Sequence, residues 1–480
     1  MTRLSLGTLG QAKAQRPRYD RTRVTPGIVH LGIGAFHRAH QAVVVDDLLA
    51  TDPSWGIVGA SLRRPDTSEA LSPQDGLYTL LIRAGAGTSA RIIGSVLEII
   101  DAPQRRETLL TRMADPAVRI VSLTITEKGY GYNAATGHLD DANPDIAADL
   151  RTPRNPVTAA GLIVEALRRR RDAGIAPFTV LCCDNLPHNG RVTAQVVTDF
   201  AEAIDPALGT WIAANVAFPA TMIDRIVPAT TDADRAEALA LTGLEDAWPV
   251  VAEPFLQWVI EDCFVGQRPR FDLGGAQFVS DVAPYETMKL RMLNGSHSMM
   301  AYLGYLAGHE FISQVIGDAA FRGLVAAAWR EEIAPTLTMP GRVSSDYATA
   351  LLERFSNPAL KHRTYQIAMD GSQKLPQRLV GTIADRLAKG LPVERLALGV
   401  AAWMVYASGT DLKGQPIVVQ DPMAEELKRA GEGDAVANFL ALRRVFSAGV
   451  AESAAFREAV TRQYRVLREA GPVEAARRLA

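Results

Sequence analysis

The chain has 480 residues, enough for two or three domains and a substantial core. Its hydrophobic content of 48% and charged content of 22% are those of a globular protein, and 51 Lys+Arg against 53 Asp+Glu leave a formal net charge of −2, so no global field draws in nucleic acid or an anionic membrane. No apolar run reaches the ~20 residues of a bilayer span and no signal-peptide pattern opens the sequence, which predicts a cytoplasmic protein without a membrane partner.

In chain order, Ile28-Val-His-Leu31 is a strand candidate, followed at once by Gly32-Ile-Gly34 and a helical pattern through Leu49. Trp55–Leu62 reads as the next strand, with Arg63 to Asp66 just past its end. This is a β–turn–α–β unit whose first turn carries glycines. Arg119–Thr126 and Phe178–Cys183 are further strands, with Cys182 and Cys183 as buried strand residues. The helix between them has Asn155 as cap, Pro156 in its first turn and Gly174 at its end. Arg168–Arg171 reads as its solvated C-terminus rather than a nucleic-acid patch. Strands alternating with helices predict an α/β fold, a Rossmann-type, doubly wound, mostly parallel sheet. After Pro284 helical periodicity dominates, as in Lys289–Gly308, Ala319–Ile333, Leu391–Ala407 and Ala454–Leu467. The predicted organisation is a nucleotide-binding domain over 1–285 and a mainly α-helical domain over 286–480, with the active site in the cleft between them.

Gly32-x-Gly34-x-Phe36-His37 departs from GxGxxG because His37 takes the place of the third glycine. The first glycine permits the tight turn and the second lets a pyrophosphate approach the backbone at a helix N-terminus. Losing the third implies a local rearrangement of helix–strand packing. Gly32, Gly34, Phe36, Arg63 and Asp66 are the candidate cofactor contacts. A carboxylate at Asp66 binds both adenosine ribose hydroxyls and repels a 2′-phosphate, favouring NAD(H) over NADP(H); Arg63 and Arg64 pull the other way.

Lys289-Leu-Arg-Met-Leu-Asn294-Gly-Ser-His297 places an amine, a carboxamide and an imidazole within nine residues. On an ideal helix at ~100° per residue they fall within an arc of ~140°. Lys289 is expected in the first turn, where the helix dipole disfavours a cation, and burial lowers its pKa further. An amine near neutrality takes a proton from an alcohol and returns it to a ketone. Taken alone, the same residues also read as a solvated lysine with satisfied core polars. No His/Cys cluster has metal-ligand spacing, so no metal is expected. No GxxxxGK[ST] element follows a strand, which argues against a phosphotransferase.

These motifs, with Thr124-Ile-Thr-Glu127, Cys183-Asp-Asn185, Met222-Ile-Asp224-Arg225 and Asp370-Gly-Ser-Gln-Lys374, resemble the mannitol dehydrogenase family of long-chain polyol and sugar-acid dehydrogenases, nearly end to end. The resemblance implies metal-independent NAD(P) chemistry. It implies Lys289 as general acid–base, Asn185 and Asn294 as amides stabilising a developing alkoxide, and His297 as the residue orienting a substrate hydroxyl and the lysine. It implies Asp224 as a carboxylate positioning the cluster, Glu286 as a gate for proton exchange with solvent, and Lys374 as a substrate contact. Asp224 beside Arg225 also reads as a structural ion pair. The substrate implied is a hexonate or a hexitol. Gln366–Arg378 looks more like a fructuronate reductase (D-mannonate/D-fructuronate), whereas Cys183–Gly190 and Asp246-Ala-Trp-Pro-Val look more like a mannitol 2-dehydrogenase, with D-arabinitol as a further polyol. Arg291 could hold a sugar-acid carboxylate, although its ~200° offset from Lys289 on an ideal helix points it away. The alternative from another class is a catalytically inactive nucleotide-binding regulator.

Overall fold

The structure, a computed structural model, describes residues 2–480. The chain folds as two compact units, Met1–Ala283 and Pro284–Ala480. In the first, β1 (Pro26–Leu31) leads through α1 (Ala35–Ala39) and α2 (Gln41–Leu48) to β2 (Gly56–Ser61), and α3 (Asp66–Leu71) follows. Then come β3 (Val96–Asp101), α4 (Ala102–Ala114), β4 (Ile120–Leu123), α5 (Ala159–Asp172), β5 (Thr179–Cys182) and α6 (Asn189–Ile204). The five strands form one parallel sheet in the order β3-β2-β1-β4-β5. This is the dinucleotide-binding strand order, and it reverses between β1 and β4.

Both faces of that sheet are buried, which is why its strands read as continuous apolar runs. Val29, Leu31, Val58, Ala60, Val121, Leu123, Val180 and Cys182 pack into one core with α4, α5 and α6. Ile28, Ile57, Ile120, Leu181 and Cys183 alternate to the other face, against α2. Two three-stranded sheets, with a two-stranded hairpin of Tyr132–Asn133 and His138–Leu139, complete the unit. One joins Val250–Ala252, Tyr78–Ala84 and Gly87–Ile93; the other joins Thr221–Asp224, Gln257–Glu261 and Gln277–Val279.

Two local expectations change. Thr158, not Asn155, caps α5: its Oγ1 accepts from Gly161 N at 3.1 Å, while Asp149 draws in the Val157 and Thr158 amides and holds back the start of the helix. The Arg168–Arg171 run is not simply solvated. The Arg170 guanidinium is buried and donates to the carbonyls of Met113, Asp115, Val118 and Ala176.

The second unit is helical. A continuous helix begins with α7 (Ala283–Met288), widens to a π-helix over Lys289–Gly295 and returns to α geometry in α8 (Ser296–Leu306). At the centre lies α9 (Glu394–Ala407), buried at every residue from Leu396 to Ala407. A helix apolar on all sides must be surrounded, and α8 and α10 (Ala454–Arg477) pack against it. The predicted end at Leu467 is overrun, and Gly471 with φ +79 breaks α10 instead. Among the described residues, no helix is long and apolar enough to cross a membrane.

Candidate active site

In the first unit a cavity of about 680 Å³ opens at the carboxyl ends of β1, β2 and β4. Gly32, Ile33 and Gly34 line it from β1; Ser61, Leu62, Arg63, Arg64 and Thr67 from β2; Thr124, Ile125, Thr126, Lys128 and Gly129 from β4. The N-terminal end of α5 adds Val157, Thr158 and Ala159. Gly32 has φ +91, and a Cβ there would lie 2.1 Å from Thr124 O, so glycine is demanded twice over. A Cβ on Gly34 would meet nothing nearer than Gly32 O at 3.9 Å. That open space on a cavity-lining backbone is the room a closely approaching pyrophosphate needs.

Of the five candidate cofactor residues, Gly32, Gly34 and Arg63 line the cavity and Phe36 and Asp66 do not. Phe36 stacks on His40 at 5.2 Å. Asp66 is the first residue of α3, and its neighbour Thr67 reaches the cavity instead. The expected helix N-terminus is also weaker than the sequence suggests. The helical pattern through Leu49 breaks at His40, leaving α1 five residues long and with little macrodipole.

The missing third glycine has a structural answer. His37 lies flat against His30 of β1, ring centroids 3.4 Å apart and planes 13° from parallel. Helix and strand meet through two stacked rings instead of a glycine. His30 also braces the turn. Thr124 Oγ1 donates to Gly32 O at 2.8 Å, so it accepts from His30 Nε2–H at 2.8 Å, which leaves Nδ1 to accept from Ser122 Oγ at 2.8 Å. The chain of bonds fixes a neutral tautomer, and burial pushes the His30 pKa down to about 3.

Past β4, Thr126 sits at φ +63 and ψ 162, a region costly for a β-branched residue. Asp184 holds it there, with its carboxylate accepting from Ile125 N at 2.7 Å, Thr126 N at 3.0 Å and Tyr130 Oη at 2.7 Å. The same acid anchors the segment after β5 that carries Asn185, since Asn189 Nδ2 donates to Asp184 O at 3.1 Å. Asn185 is exposed beyond the carboxyl end of β5. Asp224 is buried at the end of its strand. It does not pair with Arg225, whose guanidinium donates to the carbonyls of Glu253 and Ala39.

In the second unit, Lys289 is buried and lies six residues inside the helix that starts at Ala283. It is therefore not in a first turn, and the dipole argument does not reach it. The π geometry changes the angular reading as well. With i→i+5 bonding, residues five apart stand one turn above each other, so Lys289 and Asn294 share a face instead of diverging by ~140°. Gly295 permits the wide turn to nest on the π-helical segment Pro376–Val380, where a Cβ would come within 2.8 Å of Arg378 O. Glu286 precedes Lys289 by three residues, on a neighbouring helix position.

His297 is buried, packs on Phe355 at 4.6 Å and meets His362 edge-on at 5.4 Å. Burial, then His362, Arg378 and Arg354, hold its pKa well below the usual histidine value, so the ring is neutral. Its Nε2 has no hydrogen-bond partner among the described residues. Arg291 turns away: its guanidinium pairs with Asp385 at 2.5 Å and donates to Thr336 O, which commits it elsewhere than a substrate carboxylate. Lys374 Nζ donates to Met369 O at 2.6 Å, across the turn where Asp370 has φ +56. Sequence reasoning missed the Thr126–Asp184 clamp and the cavity contacts Ser61, Thr67 and Val157.

A dinucleotide-type cavity and a separate lysine–amide–imidazole helix define the class of a nicotinamide-type oxidoreductase. The model of the mannitol dehydrogenase Rossmann domain matches residues 26–273, and that of the mannitol dehydrogenase C-terminal domain matches residues 281–468. D-mannonate oxidoreductase of Escherichia coli strain K12 is 48% identical over 469 residues, covering 96% of this chain and 96% of its own. Mannitol 2-dehydrogenase of Pyrenophora tritici-repentis strain Pt-1C-BFP is 45% identical over 427 residues, covering 87% of this chain and 75% of its own. The solved structure of Pseudomonas fluorescens mannitol 2-dehydrogenase, a ternary complex with NAD and D-mannitol, superposes with a TM-score of 0.87 at 39% identity, covering 100% of this chain and 99% of that one. The chain belongs to the mannitol dehydrogenase family of oxidoreductases.

Proposed function

We propose that this protein catalyses reversible, metal-independent hydride transfer at a secondary alcohol or ketone carbon of a sugar acid, of the D-mannonate/D-fructuronate type, with NAD(H). The observation that carries the reading is the π-helical turn that stacks Lys289 and Asn294, with His297 one turn beyond. The cofactor would lie along Gly32 and Gly34 with its adenosine end towards Arg63, Arg64 and Thr67, and it supplies the hydride acceptor or donor. Preference for NAD(H) is assigned to Asp66, next to Thr67. Lys289 takes the hydroxyl proton in oxidation and returns it in reduction. Asn294 and Asn185 donate to the oxygen on which charge develops, at the ~2.7–3.1 Å that such stabilisation requires. Neutral His297 offers Nε2 to a substrate hydroxyl, Glu286 relays the proton towards solvent, Asp224 positions the polar cluster, and Lys374 contacts the substrate. The likeness to the bacterial D-mannonate oxidoreductase supports a sugar acid.

Mannitol/fructose is the second reading. Cys183–Gly190 resembles the polyol enzymes, and the structural relative holds D-mannitol. Cofactor oxidation by the purified protein against fructuronate, tagaturonate and fructose, with mannonate and mannitol in reverse, decides. Turnover of fructuronate at least ~10-fold above fructose in kcat/KM supports the first reading. No turnover of any substrate, with NADH still bound, would favour the inactive regulator.

A further inference from the structure

We infer that Arg378 is the specificity-determining cation of the substrate site, receiving the carboxylate of a keto-sugar acid beside His297. This rests on the redox reading above and replaces Arg291, which is spent on Asp385.

Arg378 stands on the π-helical segment Pro376–Val380, the segment against which the Lys289–Gly295 turn nests through Gly295. Its one hydrogen bond is from Nη1 to Ser298 Oγ at 3.2 Å, one residue past His297. The guanidinium is half-buried, and that burial lowers its pKa. Among the described residues it makes no ion pair with a carboxylate, and it lacks the several backbone carbonyls that satisfy the unpaired guanidiniums of Arg170 and Arg225. A partly desolvated cation without a counter-ion carries a cost that an anionic ligand removes. A planar guanidinium with donors to spare matches a carboxylate in geometry as well as charge.

The surroundings agree. His297 feels His362, Arg378 and Arg354, all of which disfavour a further positive charge, and no acid appears among the groups acting on it. His362 likewise feels Arg354. A neutral hexitol brings no charge to Arg378, whereas a hexonate brings one negative charge. An uncharged ketose would still meet Lys289, Asn294 and His297, so the reaction would persist on it with weaker binding.

The test is a KM-against-kcat comparison of wild type, Arg378→Gln and Arg378→Lys on fructuronate and on fructose, with NADH affinity followed by protein fluorescence. Arg378→Gln is expected to raise KM for the keto acid ~10²-fold, on the scale of losing a charge-assisted pair, while kcat changes little and kcat/KM for the ketose falls less than ~5-fold. Arg378→Lys should recover part of the loss for the keto acid. Equal losses on both substrates, or no loss on either, overturn the assignment. Should Arg378→Gln fail to fold, wild-type inhibition decides: mannonate must compete at least ~10-fold more tightly than mannitol, and equal competition rejects the cationic subsite. A wild-type protein that binds NADH and reduces neither substrate removes the redox reading itself. One that reduces fructose well and fructuronate poorly removes only Arg378's role.

Discussion

The glycine turn of the first unit and the lysine turn of the second solve opposite problems. At Gly32–Gly34 the backbone itself is the proposed binding surface, so side chains are removed and the turn is braced from behind by His30, Thr124 and His37. At Lys289–His297 the side chains are the proposed reagents, and the backbone is widened into a π-helix so that two of them stand on one face. The first arrangement discards groups; the second re-aims them. Damage to the glycine turn should therefore appear in cofactor affinity, and damage to the lysine turn in turnover.

The sharpest break of that contrast is Lys289→Ala. It should lower kcat by at least ~10²-fold while the NADH dissociation constant stays within ~2-fold. Wild-type-like turnover, or equal losses in both quantities, would abolish the division of labour.

Gly32→Ala is the mirror experiment. A φ of +91 and a Cβ 2.1 Å from Thr124 O should cost about 2–3 kcal/mol, read as weaker NADH binding by ~10-fold or more together with a lower Tm. Unchanged NADH affinity in a folded variant would show that the turn does not hold the cofactor.

Acid separates the braces from the reagents. His30, His37, His297 and His362 all have folded pKa values below the ordinary 6.5. Below pH 6.5 the unfolded chain binds protons that the folded chain refuses, so stability falls as pH falls, by up to ~1.4 kcal/mol per pH unit for each imidazole. For His30 the window runs from 6.5 down to about 3. Denaturant midpoints between pH 7.5 and 5 should drop, and His37→Phe, which keeps the stack with His30, should flatten the slope. An identical slope in that variant would mean His37 is not held neutral.

The smallest expected change is in cofactor choice. Asp66→Ser should raise relative use of NADPH only by a few-fold, because Arg63 and Arg64 line the cavity and Asp66 does not. A constant NADH/NADPH ratio would take Asp66 out of adenosine recognition.

How much of this was legible in the sequence follows from the same contrast. β1, β2, β4 and β5 stood out because both faces of the sheet are buried and glycine or proline often punctuates their ends. β3 did not, since Val96–Asp101 passes straight into α4 with no turn residue between them. The lysine, amide and imidazole could be named from their spacing, yet their geometry could not, because a 3.6-residue period assumes the very regularity that Lys289–Gly295 lacks. Thr126 and Asp184 stood within recognisable motifs, but the clamp between them was not legible, because a strained backbone and the distant acid that holds it leave no local pattern. Arg291 and Arg378 look equally available as basic letters, and only Asp385 distinguishes them.

The wide turn also constrains the chain's length. Between a helix that must present Glu286 and one buried at every residue from Ser296 to Gly304, the segment carries its extra residue per turn as a fixed allotment. Deleting a single residue there would restore ordinary winding with the flanking helical turns kept in phase, and would take Lys289 and Asn294 off their common face. A one-residue deletion in this stretch should therefore cost turnover more than folding, and loop-grafting or chimera junctions belong outside 283–306.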